Sequence, residues 1–259
     1  MLIETERRGA TAWVWMNRPE AHNALTPELG AALVESLAAL TRDASCRVVV
    51  LGGRGPSFCA GADIATMKAS ANATFEANLA DATRFGEWFA AVAEFPKPVV
   101  ARLHGGVYGG GVGLCCAADI AVASADAKFG LTEARLGIIP GLISPYVIRR
   151  LGDRNARELM LTGERFGADM ALHVGLIHHL TPEAGLDAKV DERVTELLKG
   201  APQAQARIKR LLMHWANTPW SSYREGLPRA LAEVRATDEA KDGLAAFFEK
   251  RKPKWLGKG

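Results

Sequence analysis

Apolar and polar positions follow two different rhythms along this chain, and the change of rhythm divides it. In the first half, short apolar runs that read as strands are separated by longer stretches with helical spacing. Residues 2–7 and 12–16 predict a hairpin around Gly9-Ala10, and residues 47–51 (RVVVL), 99–103 and 119–123 (DIAVA) predict further strands. Thr26-Pro27 supplies a helix cap and a proline at the first helical position, after which Leu29, Leu33, Leu37 and Leu40 mark one face. A later helix must end near Phe95, because Pro96 and Pro98 cannot continue it. Strands separated by helices predict parallel pairing, so the fold class is α/β.

After Gly141 the pattern changes. Ser144-Pro145 and Asp153 each look like helix starts, residues 177–180 read as a last short strand, and from Pro182 onward only helices are expected. Ile208, Leu211, Leu212 and Trp215 follow i, i+3, i+4, i+7, as do Leu227, Leu231 and Val234, while Leu244, Phe247 and Phe248 form a third apolar stripe. Either these stripes cover the sheet or they pack on another subunit; the amount of apolar surface points towards the second.

Composition narrows the class. With 259 residues, 48% of them hydrophobic and 24% charged, the chain suits one main core, since single cores stop growing only beyond ~250–300 residues. The formal charge is +3, and Lys250, Arg251, Lys252, Lys254 and Lys258 all lie in the last ten positions. Subtracting these five leaves −2 for the rest, which disfavours a chain-wide nucleic-acid surface and allows only a local anion contact at the tail. Cys46, Cys59, Cys115 and Cys116 contain no CxxC pair, so free buried thiols in a reducing compartment are expected. The N-terminus is charged where an export signal needs an apolar run, and the uncharged stretch 103–118 holds six glycines and is too short to span a bilayer. A cytoplasmic location and no membrane partner follow as expectations.

Common cofactor signatures are missing. GxxxxGK[ST], HExxH and GxSxG do not occur, GGGVG at 109–113 lacks the third glycine of a dinucleotide fingerprint, and the histidines show no ligand spacing. No metal and no bound redox cofactor are therefore expected. What does occur is a pair of glycine-containing turns, SFCAGADI at 57–64 and HGGVYGGGVGL at 104–114, each leaving a strand and entering a helix. Singly, either turn reads as close strand–helix packing. Together they would aim two backbone N–H donors at one point, which suits an oxyanion such as the enolate of a thioester. Glu133 follows in FGLTEARLGIIPG at 129–141, where apolar neighbours would raise its pKa and fit it for proton transfer; the plainer alternative is an ordinary salt bridge to Arg135 or another cation.

SFCAGADI, YGGGVGL, FGLTEARLGIIPG and the terminal AAFFEKRKP, with NRPEAHNAL at 17–25, resemble the enoyl-CoA hydratase/isomerase (crotonase) family in order and spacing over nearly the whole chain. The resemblance implies an α/β, crotonase-like spiral of ββα units over residues 1–200 that carries the site, and a helical C-terminal trimerisation region over 201–259. It implies a homotrimer or dimer of trimers, an acyl-CoA substrate and no metal, with coenzyme A present only as part of the thioester. Matched position by position, the two oxyanion N–H groups fall on Ala62 and Gly110. The adenine and pantetheine contacts fall around Ala21, Ala60, Asp63 and Ile64, and Phe247 and Lys250 match positions that reach a neighbouring subunit's coenzyme.

The chain departs from the family pattern in two places. Glu133 matches the second of two family glutamates, but the first falls on Gly113, and a family lysine falls on Glu20. Glycine transfers no proton, so Glu133 would have to work both ends of one water, and the space at Gly113 is expected to hold water or part of a bulky acyl group. VYGGGVGL, residues 136–152 and NRPEAHNA resemble the bacterial methylglutaconyl-CoA hydratase branch, implying a branched, carboxylate-bearing enoyl thioester. Arg84, Arg135 and Arg149 are candidates by type for a distal carboxylate. Two rival readings stand beside hydration: a double-bond isomerase using Glu133 alone, and a non-catalytic coenzyme A- or RNA-binding protein.

Overall fold

The computed structural model describes residues 1–257, so Lys258 lies outside the described residues. β1 (Ile3–Arg8) and β2 (Thr11–Met16) form the expected antiparallel hairpin, with Ile3 opposite Met16. α1 (Pro27–Arg42) follows; Thr26 caps it by accepting from the Leu29 amide, and Leu29, Leu33, Leu37 and Leu40 are buried as their spacing predicts. β3 (Val48–Gly53) then leads to α2 (Ile64–Ala71) and α3 (Phe75–Ala93), which stops just before Pro96. Next come β4 (Val99–Leu103), β5 (Gly106–Tyr108), α4 (Gly110–Ala117), β6 (Ile120–Ser124) and β7 (Lys128–Gly130). α5 (Ser144–Thr162) is broken at Gly152, whose φ of 72° and ψ of 164° are not helical, so a second segment does begin at Asp153. β8 (Arg165–Gly167), α6 (Ala168–His173) and β9 (His179–Thr181) complete the sheets. The last strand thus sits one or two residues later than its apolar run suggests.

The main sheet has the order β1-β2-β3-β4-β6-β9, parallel from β2 onward. β2 and β3 are buried along their whole length, which explains their unbroken apolar runs: helices cover both faces. Side chains alternate between the faces. Val14, Met16, Val49, Leu51 and Ala101 join the core with α1, α3 and α4, while Trp13, Trp15, Val48, Val50 and Val100 meet α7 (Leu186–Lys199) through Leu186, Val190 and Val194. A second small sheet, β5-β7-β8, is an element the sequence reading missed. Its three-residue strands are too short to show a period, and β5 lies inside what reads as one continuous glycine turn.

α8 (Pro202–Asn217), α9 (Trp220–Arg235) and α10 (Asp238–Phe248) form the helical C-terminal region. α8 is tied to the body by polar anchors: Lys209 Nζ donates to Lys97 O at 3.0 Å and pairs with Asp119 Oδ2 at 2.6 Å. The apolar stripes do not cover the sheet, which α7 already does. Ile208, Leu212, Trp215, Leu231, Leu244, Phe247 and Phe248 are each at least half exposed in the single chain. Among the described residues no helix is long and apolar enough to cross a membrane.

Candidate active site

The two glycine turns are stitched side by side. Cys59 N donates to Gly106 O at 3.0 Å and Tyr108 N donates to Cys59 O at 2.9 Å, a parallel bridge that joins the turn after β3 to β5. Gly61 has φ +94°, and a Cβ there would stand 3.0 Å from Tyr108 O, so both conformation and crowding demand glycine. Gly109 has φ +49° at the cap of α4, and a Cβ there would stand 3.2 Å from Glu133 Oε1.

Leu25 links the turns from a third side. Its N–H donates to Gly61 O at 2.7 Å and its carbonyl accepts from Asp63 N at 3.1 Å, bracketing Ala62, while its side chain packs where a Gly110 Cβ would be. Ala62 N and Gly110 N have no hydrogen-bond partner among the described residues. Gly110 is the first residue of α4, where amides have no acceptor within the helix and carry its positive end.

Glu133 lies in a 3₁₀ turn, Thr132–Leu136, just after β7. Its Oε2 is sealed from solvent without a partner among the described residues. Burial pushes its pKa up from the ordinary value, opposed only by its own backbone amide. Arg135 does not pair with it; that guanidinium turns to Thr162 O at 3.0 Å. The plainer salt-bridge alternative fails on this geometry.

Ala62, Gly110 and Glu133 open onto one cavity of about 440 Å³, floored by Phe85, Trp88 and Phe89 of α3 and closed by Ile138–Ile143. Its remaining ionisable lining residue is Asp81, which is paired with Arg84 one turn along α3. Of the candidate cations, Arg84 therefore stands beside the cavity. Arg135 faces away, and Arg149 reaches Met213 Sδ at 3.0 Å in a separate cavity under α8.

The coenzyme candidates divide into two groups. Ala60 N donates to His22 O at 2.9 Å, which brings Ala21 and Ala60 onto neighbouring segments. Asp63 caps α2 by accepting from Ala65 and Thr66 amides and pairs with Arg18 at 3.2 Å. Burial pushes its carboxyl up, but those amides and Arg18 outweigh it and hold the pKa below the usual range. Ile64 beside it is 67% exposed. Phe247 lies at the end of α10 and Lys250 just beyond it, both exposed, and neither lines the cavity in one chain.

One expectation is overturned. No open space adjoins Gly113 for water or an acyl group: Ile143 fills it, with its Cγ2 2.2 Å from where a Cβ would be, backed by Phe89. Leu25, Asp81 and Ile143 are the site residues that sequence reasoning missed. Leu25 lies inside the NRPEAHNAL segment and was open to notice; the meeting of Ile143 with Gly113 was not.

Comparison with known proteins follows the same outline. The pattern of the family described as enoyl-CoA hydratase/isomerase matches residues 6–258. The crystal structure of an enoyl-CoA hydratase from Shewanella pealeana superposes with a TM-score of 0.94 at 36% identity, covering 98% of this chain and 96% of that one. A short-chain-enoyl-CoA hydratase of Clostridium acetobutylicum is 32% identical over 95% of this chain and 94% of its own. An (E)-benzylidenesuccinyl-CoA hydratase of Thauera aromatica is 32% identical over 99% of this chain and 100% of its own.

Proposed function

The chain belongs to the enoyl-CoA hydratase/isomerase family and is a hydratase-type carbon–oxygen lyase, and we propose that its substrate is a 2-enoyl-CoA with a branched or carboxylated, methylglutaconyl-type acyl group. The observation that carries the reading is the opening of two unpartnered amides, Ala62 and Gly110, and one buried carboxyl, Glu133, onto a single largely apolar cavity.

In the proposed reaction the Ala62 and Gly110 N–H groups hold the thioester oxygen as the carbonyl takes up charge. Such a donor is worth ~2.7–4 kcal/mol where it has been removed from comparable sites. Ionised Glu133 takes a proton from water while the water oxygen bonds to C3 and the C2=C3 electron pair moves into the enolate. Protonated Glu133 then returns that proton to C2 as the enolate collapses. One water is added, and the product is a 3-hydroxyacyl-CoA. Asp81 lines the cavity and Arg84 pairs with it from just outside, so a distal carboxylate at that end would draw Arg84 from its partner.

The coenzyme moiety is assigned to the surface around Ala21, Ala60, Asp63 and Ile64. Residues 201–259 are assigned to oligomerisation, with Phe247 and Lys250 completing a neighbour's coenzyme site in a trimer or dimer of trimers. Turnover of crotonyl-, 3-methylcrotonyl- and 3-methylglutaconyl-CoA, with the product identified by mass, tests this reading. A gain of one water supports hydration, a shifted double bond without added water replaces it with isomerisation, and preference for crotonyl-CoA over both branched thioesters overturns the acyl assignment.

A further inference from the structure

We infer that Ile143 is the specificity-determining wall of the acyl cavity. This rests on the hydratase reading and adds to it the side chain that meets the substrate's shape. On α4, Gly113 follows one helical turn after Gly110, which lines the cavity. A Cβ on Gly113 would stand 2.2 Å from Ile143 Cγ2, 2.9 Å from Ile143 Cβ and 2.9 Å from Phe89 Cε1. Ile143 therefore occupies the volume that any side chain at position 113 would need.

Three features make this a wall rather than loose filling. Ile143 is 4% exposed yet lines the same cavity as Glu133 and Gly110. Its backbone is pinned at the start of α5, where its carbonyl accepts from Tyr146 N at 3.1 Å and Val147 N at 3.0 Å. Its side chain is β-branched and therefore stiff about χ1. Phe89 supports it from α3 and reaches to within 3.5 Å of where a Gly110 Cβ would be. Together they present apolar surface along the α4 side of the cavity. An acyl group lying along this wall must put an uncharged, compact face against it, and the Ile143 methyl groups limit the bulk it can carry.

The test compares kcat/KM for crotonyl-CoA, 3-methylcrotonyl-CoA and a long straight-chain 2-enoyl-CoA in the full-length enzyme and in Ile143→Ala and Ile143→Val, with thermal unfolding followed in each. Ile143→Ala should raise the ratio of the bulkier substrates over crotonyl-CoA by roughly tenfold or more, the size of effect that one or two methylenes have in apolar pockets. Ile143→Val should move the ratio in the same direction by less. Should the alanine variant fail to fold, the valine variant decides on the same criterion. Folded variants whose ratios stay at the wild-type value overturn the inference. Wild-type enzyme that hydrates none of the three defeats the underlying hydratase reading instead, and is recognised before any variant is made.

Discussion

A methyl group on Gly109 would stand 3.2 Å from Oε1 of Glu133, so the carboxyl of the 3₁₀ turn takes up the space beside the residue that caps α4. Two opposed influences act on Glu133. Its own backbone amide favours a negative charge, while burial without a side-chain partner disfavours it. Burial prevails, and the pKa is raised.

Glu133→Gln keeps the shape and removes the base. Hydration should fall by at least ~100-fold, in line with general acid–base contributions. Binding of a saturated acyl-CoA, measured by calorimetry, should change little. Near-normal turnover would take Glu133 out of the mechanism.

The same substitution should stabilise the fold. A carboxyl whose pKa is raised in the folded state destabilises it while ionised, and that penalty is relieved as pH falls through the raised value towards the ordinary glutamate range. Glu133→Gln should therefore unfold at a higher temperature than wild type near pH ~7, with the gap closing in acid. Activity runs the opposite way, with kcat in wild type falling on an acid limb that lies above the ordinary glutamate pKa of ~4.3. Melting curves and kcat–pH profiles of the two proteins check both halves.

Gly113→Glu, which an open space at this position would tolerate with straight-chain substrates, should instead lose activity on every substrate because Ile143 stands in the way. The gentler Gly113→Ala isolates the clash. Alanine gains up to ~1 kcal/mol of helix propensity, but overpacking typically costs ~1–3 kcal/mol, so the thermal midpoint should drop. Adding Ile143→Ala should bring back part of the loss caused by Gly113→Ala. Strictly additive effects in this double-mutant cycle would show that the two positions do not meet.

Arg84→Gln should lower kcat/KM for a carboxylated enoyl-CoA by ~10-fold or more and leave crotonyl-CoA nearly untouched, as expected for loss of a charge-assisted contact worth ~1.5–3 kcal/mol. Equal effects on both substrates would remove Arg84 from recognition of the acyl end.

Removing the residues after Leu244 takes away Phe247, Phe248 and Lys250 and leaves the α8 and α9 stripes without their continuation. Light scattering should report a smaller assembly, and coenzyme A affinity should fall with it. A monomer with full activity would refute the assigned role of the C-terminal helices.

Legibility in the sequence followed distance along the chain. Thr26, Pro27 and the leucines of α1 act within one helix, and RVVVL needs only its own apolar run, so both could be read directly. β5, β7 and β8 are too short to carry a period and owe their existence to pairing with one another. Ala62 and Gly110 were legible as parts of two glycine turns, but their sharing of a cavity depends on the bridge between Cys59 and β5. Gly113 illustrates the limit most clearly. Its sequence signal is a missing side chain, and a missing side chain suggests a void; only Ile143, thirty positions later, shows that the place was taken by another part of the chain.

The two amides assigned to the thioester oxygen come from separate stretches of the chain, and Leu25 meets both: its backbone brackets Ala62 and its side chain packs against Gly110. It works like the fixed arm of a caliper. The turn that carries Ala62 and the start of α4 thus share one stop, and their separation is set against the same residue. Leu25 has no proton to give and no charge to offer, and still the spacing that the proposed reaction requires is measured out by it.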